Sequence, residues 1–212
     1  MAKTENSFID TDIINKIGGF KTENLLARIL NSFEYNLYIH EYVVGEELIL
    51  PGPAKNQLED MISSKDIVIV SESELSNQEQ IDYELTLNVL AKELNVCLRK
   101  PRDRNLGEIK SMSMAFVKNY GFFISDDHDG KVAAKKHLQN MDGSWLKTIR
   151  MSDIILHIRN HEEIGITRKL AKQLYLYGTS PKLGSSRAEK EKIERFHKKL
   201  QKQFDDELWP NT

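Results

Sequence analysis

SFIDTDIINKIGG, residues Ser7–Gly19, is the stretch on which the fold turns. Phe8-Ile9 reads as a short buried strand, and Ile13, Ile14 and Ile17 follow at helical spacing until Gly18-Gly19 interrupts the helix. Two aspartates, Asp10 and Asp12, stand where strand gives way to helix. A carboxylate at the end of a buried strand is costly unless a cation, a basic side chain or a backbone N–H meets it. Strand, carboxylate and helix in that order make the first half of a βαβ unit, and the same order recurs downstream.

A helix is expected from about Thr22, an N-cap candidate, with Leu25, Leu26, Ile29, Leu30 and Phe33 on one face. LYIHEYVVGEEL, residues 37–48, reads as a strand passing into a helical turn that carries Glu46 and Glu47, and Pro51-Gly52-Pro53 breaks the chain after it. DIVIV, Asp66–Val70, is a β-branched strand. Residues 77–94 are helical, with Ile81, Leu85, Val89 and Leu90 among the apolar positions. Asn105 can cap a further helix, with Glu108 three residues on as in a capping box, and Gly121 is a candidate C′ residue for it. GFFISDDHDGKVAAKKHL then reads as strand (Phe122–Ile124), acidic turn and helix, and KTIRM as a last strand. This alternation predicts an α/β fold, a parallel sheet with helices on both faces joined by right-handed crossovers.

From Asp153 onward the pattern is helical. Ile193, Phe196, Leu200, Phe204 and Leu208 form an apolar stripe, while Arg187, Lys190, Lys192, Arg195, Lys198, Lys199 and Lys202 make the other face basic. The expected division is a domain over residues 1–175 and a helical extension over 176–212 packed on it.

Composition narrows the classes. The chain has 212 residues, 29% charged and 40% hydrophobic, with a formal net charge of −2. A nucleic-acid site must therefore be a local basic patch. The single cysteine, Cys97, excludes an intramolecular disulfide framework, suits a reducing compartment and reads as a buried apolar residue. No stretch reads as a signal peptide or a bilayer-spanning helix, so the expected location is the cytoplasm and no membrane partner is expected.

An open parallel sheet binds its ligand beyond the carboxyl ends of the strands. Asp10 and Asp12 follow the first strand; Asp126, Asp127 and Asp129 follow another; Glu108 opens the helix leading into that strand; Glu46 lies just past a third. If those strands are neighbours, carboxylates converge from distant parts of the chain. Clustered carboxylates repel, and without counter-charge some are forced to keep a proton. Oxygen-only donors in such number suit Mg²⁺ or Mn²⁺, which can activate water and stabilise charge on a phosphoryl group.

FIDTDII, YVVGEEL and GEIKSMSMAFVKNYGFFISDD followed by VAAKKHL together resemble the PIN domain family over roughly residues 7–175. That resemblance implies a small parallel α/β metal-dependent ribonuclease, many relatives being toxins of bacterial toxin–antitoxin pairs. It aligns Asp10 with the family's first acid, Glu46 (or Glu47) with the second, Glu108 with the third, and Asp127 or Asp126 with the fourth. Ser125 stands where the family often has threonine or serine. The implied metal ligands are Asp10, Glu108, Asp126 and Asp127, with Glu46 as a further catalytic acid. The implied partners are RNA, a protein antitoxin and a second copy of the chain. RNA phosphates would need positive charge near an acidic site, and Lys198, Lys199 and Lys202, or Lys131, Lys135 and Lys136, can supply it. Two alternatives remain. In a haloacid-dehalogenase-like phosphatase, Asp10 would be the nucleophile, Asp12 the general acid and Ser71 a phosphate-binding hydroxyl. A non-catalytic PIN-like module would bind RNA or protein through its helical tail.

Overall fold

Ser7, Phe8 and Ile9 are wholly buried because the first strand, β1 (Glu5–Ile9), runs through the centre of the sheet. The computed structural model describes residues 5–22, 24–47, 52–100, 103, 105–139, 145–179 and 187–210. From Glu5 to Ile149 the described elements follow the chain as β1, α1 (Thr11–Gly18), α2 (Leu25–Asn31), β2 (Tyr35–His40), α3 (Pro53–Ser63), β3 (Ile67–Val70), α4 (Asn77–Glu93), α5 (Leu106–Val117), β4 (Phe122–Ile124), α6 (His128–His137) and β5 (Lys147–Ile149). All strands pair in parallel, in the order β3-β2-β1-β4-β5. This is the α/β architecture that the alternating pattern predicts.

Alternation along the strands divides the core. Phe8, Val70 and Phe123 join Tyr83 and Leu90 of α4, Ile109 and Met112 of α5 and Ala133 of α6 in one cluster. Ile9 and Ile124, pointing the opposite way, are equally buried. On that side α1, α2 and α3 pack on one another and contribute Ile13, Ile14, Ile17, Leu26, Ile29 and Leu58. Gly18, the last residue of α1, allows close packing on α3: a Cβ there would lie 2.8 Å from the Ala54 Cα.

Several elements differ in detail from expectation. α2 starts after Asn24, in the left-handed region at φ 52°, rather than at Thr22. α5 stops at Val117 and Asn119, also left-handed, takes the reversing role expected of Gly121. Ser76 and Glu79 form a full capping box at the start of α4, Ser76 N–H donating to Glu79 Oε2 at 2.7 Å. Cys97 is exposed rather than buried.

The chain divides into compact units at Ile149/Arg150, earlier than the expected boundary at 175/176. The reason lies within the second unit, where α7 (Met151–Asn160), α8 (Arg168–Thr179), α9 (Arg187–Gln203) and a wide turn over Phe204–Leu208 pack together. Ile154, Ile155, Leu174, Leu200, Phe204 and Leu208 form its core. Arg159 Nη1 donates to the Leu208 carbonyl at 2.8 Å, and Arg168 and Lys172 both pair with Asp205. Leu200, Phe204 and Leu208 of the expected stripe are buried, but Phe196 is exposed.

Candidate active site

Strand order reverses at β1, with β2 and β3 on one side and β4 and β5 on the other. Beyond the carboxyl ends of β1 and β4 lies a pocket of about 170 Å³ lined by Asp10, Thr11, Asp12, Asn105, Glu108 and Asp127.

Each acid is fixed by the local chain. Asp10 leaves β1 with its N–H on the Ile124 carbonyl (3.0 Å) and caps α1, its Oδ1 accepting from Thr11 N–H at 2.8 Å. Asp127 caps α6, its Oδ1 accepting from Asp129 and Gly130 N–H at 2.7 and 3.0 Å. Between them Ser125 is buried at the end of β4. Its Oγ donates to Asp10 Oδ2 (3.1 Å), lies 3.3 Å from Glu108 Oε1 and accepts from Asp127 N–H (3.2 Å). One hydroxyl proton cannot serve two carboxylates at once.

Glu108 bears the strain of that arrangement. It is 5% exposed, and its carboxyl is pushed up to about 10, first by burial and then by the charges of Asp10, Asp127 and Asp12. Its carboxylate lies against the first turn of α6, where a Cβ on Gly130 would stand 2.1 Å from Oε1. The side chain therefore does not serve as the N3 half of a capping box. Asn105 sits at φ 65° and makes no side-chain cap bond; left-handed backbone is tolerated by asparagine, and its side chain lines the pocket instead.

Two residues later on α5, Lys110 pairs with Glu72, which also accepts from Tyr83 Oη at 2.9 Å. Beside them His40, at the end of β2, is buried, and burial lowers its pKa to about 4. Its Nδ1 accepts from Tyr42 N–H at 3.1 Å, so Nε2 carries the proton and faces Tyr83 Oη at 3.3 Å. This network ties the start of α5, and with it Glu108, to residues at the ends of β2 and β3.

The aspartate pairs resolve through Lys16. Its Nζ bonds Asp12 Oδ2 at 3.0 Å and Asp126 Oδ2 at 3.1 Å, and the two carboxylates hold the ammonium above its usual range despite burial. Asp126 is thus turned to Lys16 and is not part of the pocket lining, whereas Asp127 is. Asp12, whose carboxyl is raised by burial against the pull of Lys16, has one oxygen, Oδ1, buried without a hydrogen-bond partner. The sequence gives Asp12 a role only as the general acid of the phosphatase alternative, not as a metal ligand; the i,i+4 spacing to Lys16 was the available signal for the pair, and nothing local announced Asn105, Thr11 or Gly130 as part of the site. Glu46 falls in a π-type turn over Val43–Glu47, and its side chain and that of Glu47 lie outside the described residues.

Oxygen donors and the orphaned Asp12 oxygen suit a hard divalent ion. Among the described residues no three carboxylate, imidazole or thiol side chains form a set that could hold an ion unaided. Mg²⁺ fits such a site because it keeps several waters and takes only one or two carboxylates directly.

Of the basic residues, Lys131 and Lys135 lie on α6, the helix that Asp127 caps; Lys136 is engaged by Glu93 at 2.8 Å. Lys198, Lys199 and Lys202 are exposed on α9 in the second unit, Lys198 pairing with Glu194 at 3.3 Å. Ser71 caps its own turn after the edge strand β3 and does not line the pocket. Among the described residues no helix is long and apolar enough to cross a membrane. Compared with protein-family models, curated proteins and solved structures, the chain has no significant match.

Proposed function

We propose that this protein is a metal-dependent ribonuclease, hydrolysing RNA phosphodiester bonds with Mg²⁺ or Mn²⁺ held in the acidic pocket. The observation that carries the reading is the convergence of Asp10, Asp12, Glu108 and Asp127 on one crevice, where burial and then the neighbouring carboxylates push the Glu108 carboxyl up. The motifs resembling PIN domains supply the substrate class. A divalent ion bound there supplies an activated water and offsets charge on the phosphoryl oxygens. Asp10 and Asp127 would hold it, with Glu108 and Asp12 reaching it directly or through water. To serve as a ligand, Glu108 would have to give up its proton. Ser125 holds Asp10 in place, Lys16 withdraws Asp126 from the site, and Lys131 and Lys135 meet the phosphate backbone.

The test is cleavage of a labelled RNA. Activity should require Mg²⁺ or Mn²⁺, stop with EDTA and yield 5′-phosphate ends. Asp10→Asn should lose at least about 10- to 100-fold, the loss that removal of even outer-shell partners brings. Cleavage that survives chelation, or that Asp10→Asn and Glu108→Gln both leave intact, refutes the reading. Because Asp12 shares the pocket with Asp10, a phosphatase is the second reading. It would hydrolyse phosphomonoesters, lose activity at Asp12 and tolerate Glu108→Gln.

A further inference from the structure

α4 carries apolar residues on two faces. Tyr83, Thr86, Leu90 and Ala91 are buried against the domain, but Ile81, Leu85 and Val89 are 53, 61 and 44% exposed. Single exposed apolar residues need no explanation; three at i, i+4 and i+8 form a continuous stripe two turns long. At 3.6 residues per turn, Gln78, Ile81, Asp82, Leu85, Asn88, Val89 and Lys92 share that face.

The charges around the stripe are sorted by what already engages them. Glu79 is taken by Lys118 at 3.0 Å and Glu93 by Lys136 at 2.8 Å. Asp82 accepts from the Gln78 side chain at 3.2 Å, and among the described residues neither Asp82 nor Lys92 enters an ion pair. The face therefore carries one acid, Asp82, on the amino side of Leu85 and one base, Lys92, beyond Val89 at its carboxyl end.

Such a face is complementary to itself when reversed. About a two-fold axis through Leu85, an antiparallel copy sets Leu85 on Leu85, Ile81 on Val89 and Asp82 beside Asn88. Lys92 then falls next to Gln78 and Asp82 of the second copy. A parallel copy would set Asp82 on Asp82 and Lys92 on Lys92. An isologous dimer requires this kind of self-complementary patch. We infer that the exposed face of α4 is the interface of a homodimer, two copies pairing antiparallel through Ile81, Leu85 and Val89 with reciprocal Lys92–Asp82 ion pairs. One helical stripe is small beside the roughly 800 Å² per partner of a standard interface, so the dimer is in reversible exchange with monomer.

Sedimentation velocity of the full chain over a wide concentration range tests this. The wild type should pass from monomer to dimer. Leu85→Lys, which sets two ammonium groups together on the axis, should weaken association at least about tenfold. Asp82→Lys and Lys92→Asp should each weaken it, and the double exchange should restore it. These positions are exposed, and unchanged thermal melts of the variants verify the fold. A wild type that stays monomeric throughout leaves the stripe to a different protein and overturns the inference. So does a dimer indifferent to Leu85→Lys, or one that the double exchange fails to rescue.

Discussion

Replacing Glu108 by glutamine should stabilise the metal-free protein, although it removes a residue of the candidate site. The carboxyl has an ordinary value of 4.5 and is pushed up to about 10 in the folded chain. The folded state therefore binds the proton more tightly than the unfolded state. The stability this confers is complete below pH 4.5 and is lost progressively as pH rises toward 10. At about 1.4 kcal/mol per pH unit, the climb to pH 8 removes on the order of 5 kcal/mol, and water in the open pocket reduces that to about 2–5 kcal/mol. Glutamine is isosteric with the protonated acid, keeps an oxygen for Ser125 and offers N–H donors to the surrounding carboxylates, but it has no proton to lose. Thermal melts in EDTA should show the wild type losing stability from pH 5 to 8 while Glu108→Gln stays level. At about 2–4 °C per kcal/mol for a chain of this size, the variant should melt roughly 5–15 °C higher at pH 8. Mg²⁺ should narrow the difference by stabilising the wild type alone. A wild-type melt that is flat with pH in EDTA, or a variant no more stable at pH 8, would show that the pocket does not confine Glu108 as described.

Gly130→Ala should displace the Glu108 carboxylate, since the new methyl would stand 2.1 Å from Oε1. Overpacking of that kind costs about 1–3 kcal/mol, more than the helix gains from alanine, and chemical denaturation together with RNA cleavage would register both losses. Lys16→Met should leave Asp12 and Asp126 facing each other without a cation, destabilising the protein by about 1–3 kcal/mol at neutral pH for a partly buried pair, a loss that chemical denaturation would measure. In RNA-binding titrations, Lys131→Gln with Lys135→Gln should lower the slope of log affinity against log salt by about 1.4, and the triple change at Lys198, Lys199 and Lys202 by about 2. An unchanged slope in either set assigns that lysine group a plain surface role.

The sheet and three of the pocket acids were legible because their signals are local. Phe8-Ile9, DIVIV and FFI are short apolar runs, each followed by helical spacing, and Asp10 and Asp127 stand at strand-to-helix junctions where a carboxylate also caps the helix. Glu108 was legible as an acid in a first turn, though its role as a capping-box partner was not what the fold gave it. That Asp127 rather than Asp126 enters the pocket, and that Asp12 enters it beside Asp10, was decided elsewhere. Lys16 reaches Asp126 across 110 residues of chain and draws it aside, while Asp12, bonded to the same ammonium, keeps an oxygen buried without a partner. The same holds for α4, whose Ile81, Leu85 and Val89 share a helical apolar pattern with Leu90 yet lie outside the core. Periodicity and capping act over a few residues and so determine elements and their ends. Burial, the neutralisation of a charge and the exposure of a face depend on groups far apart in sequence, and only the packed tertiary structure brings them together.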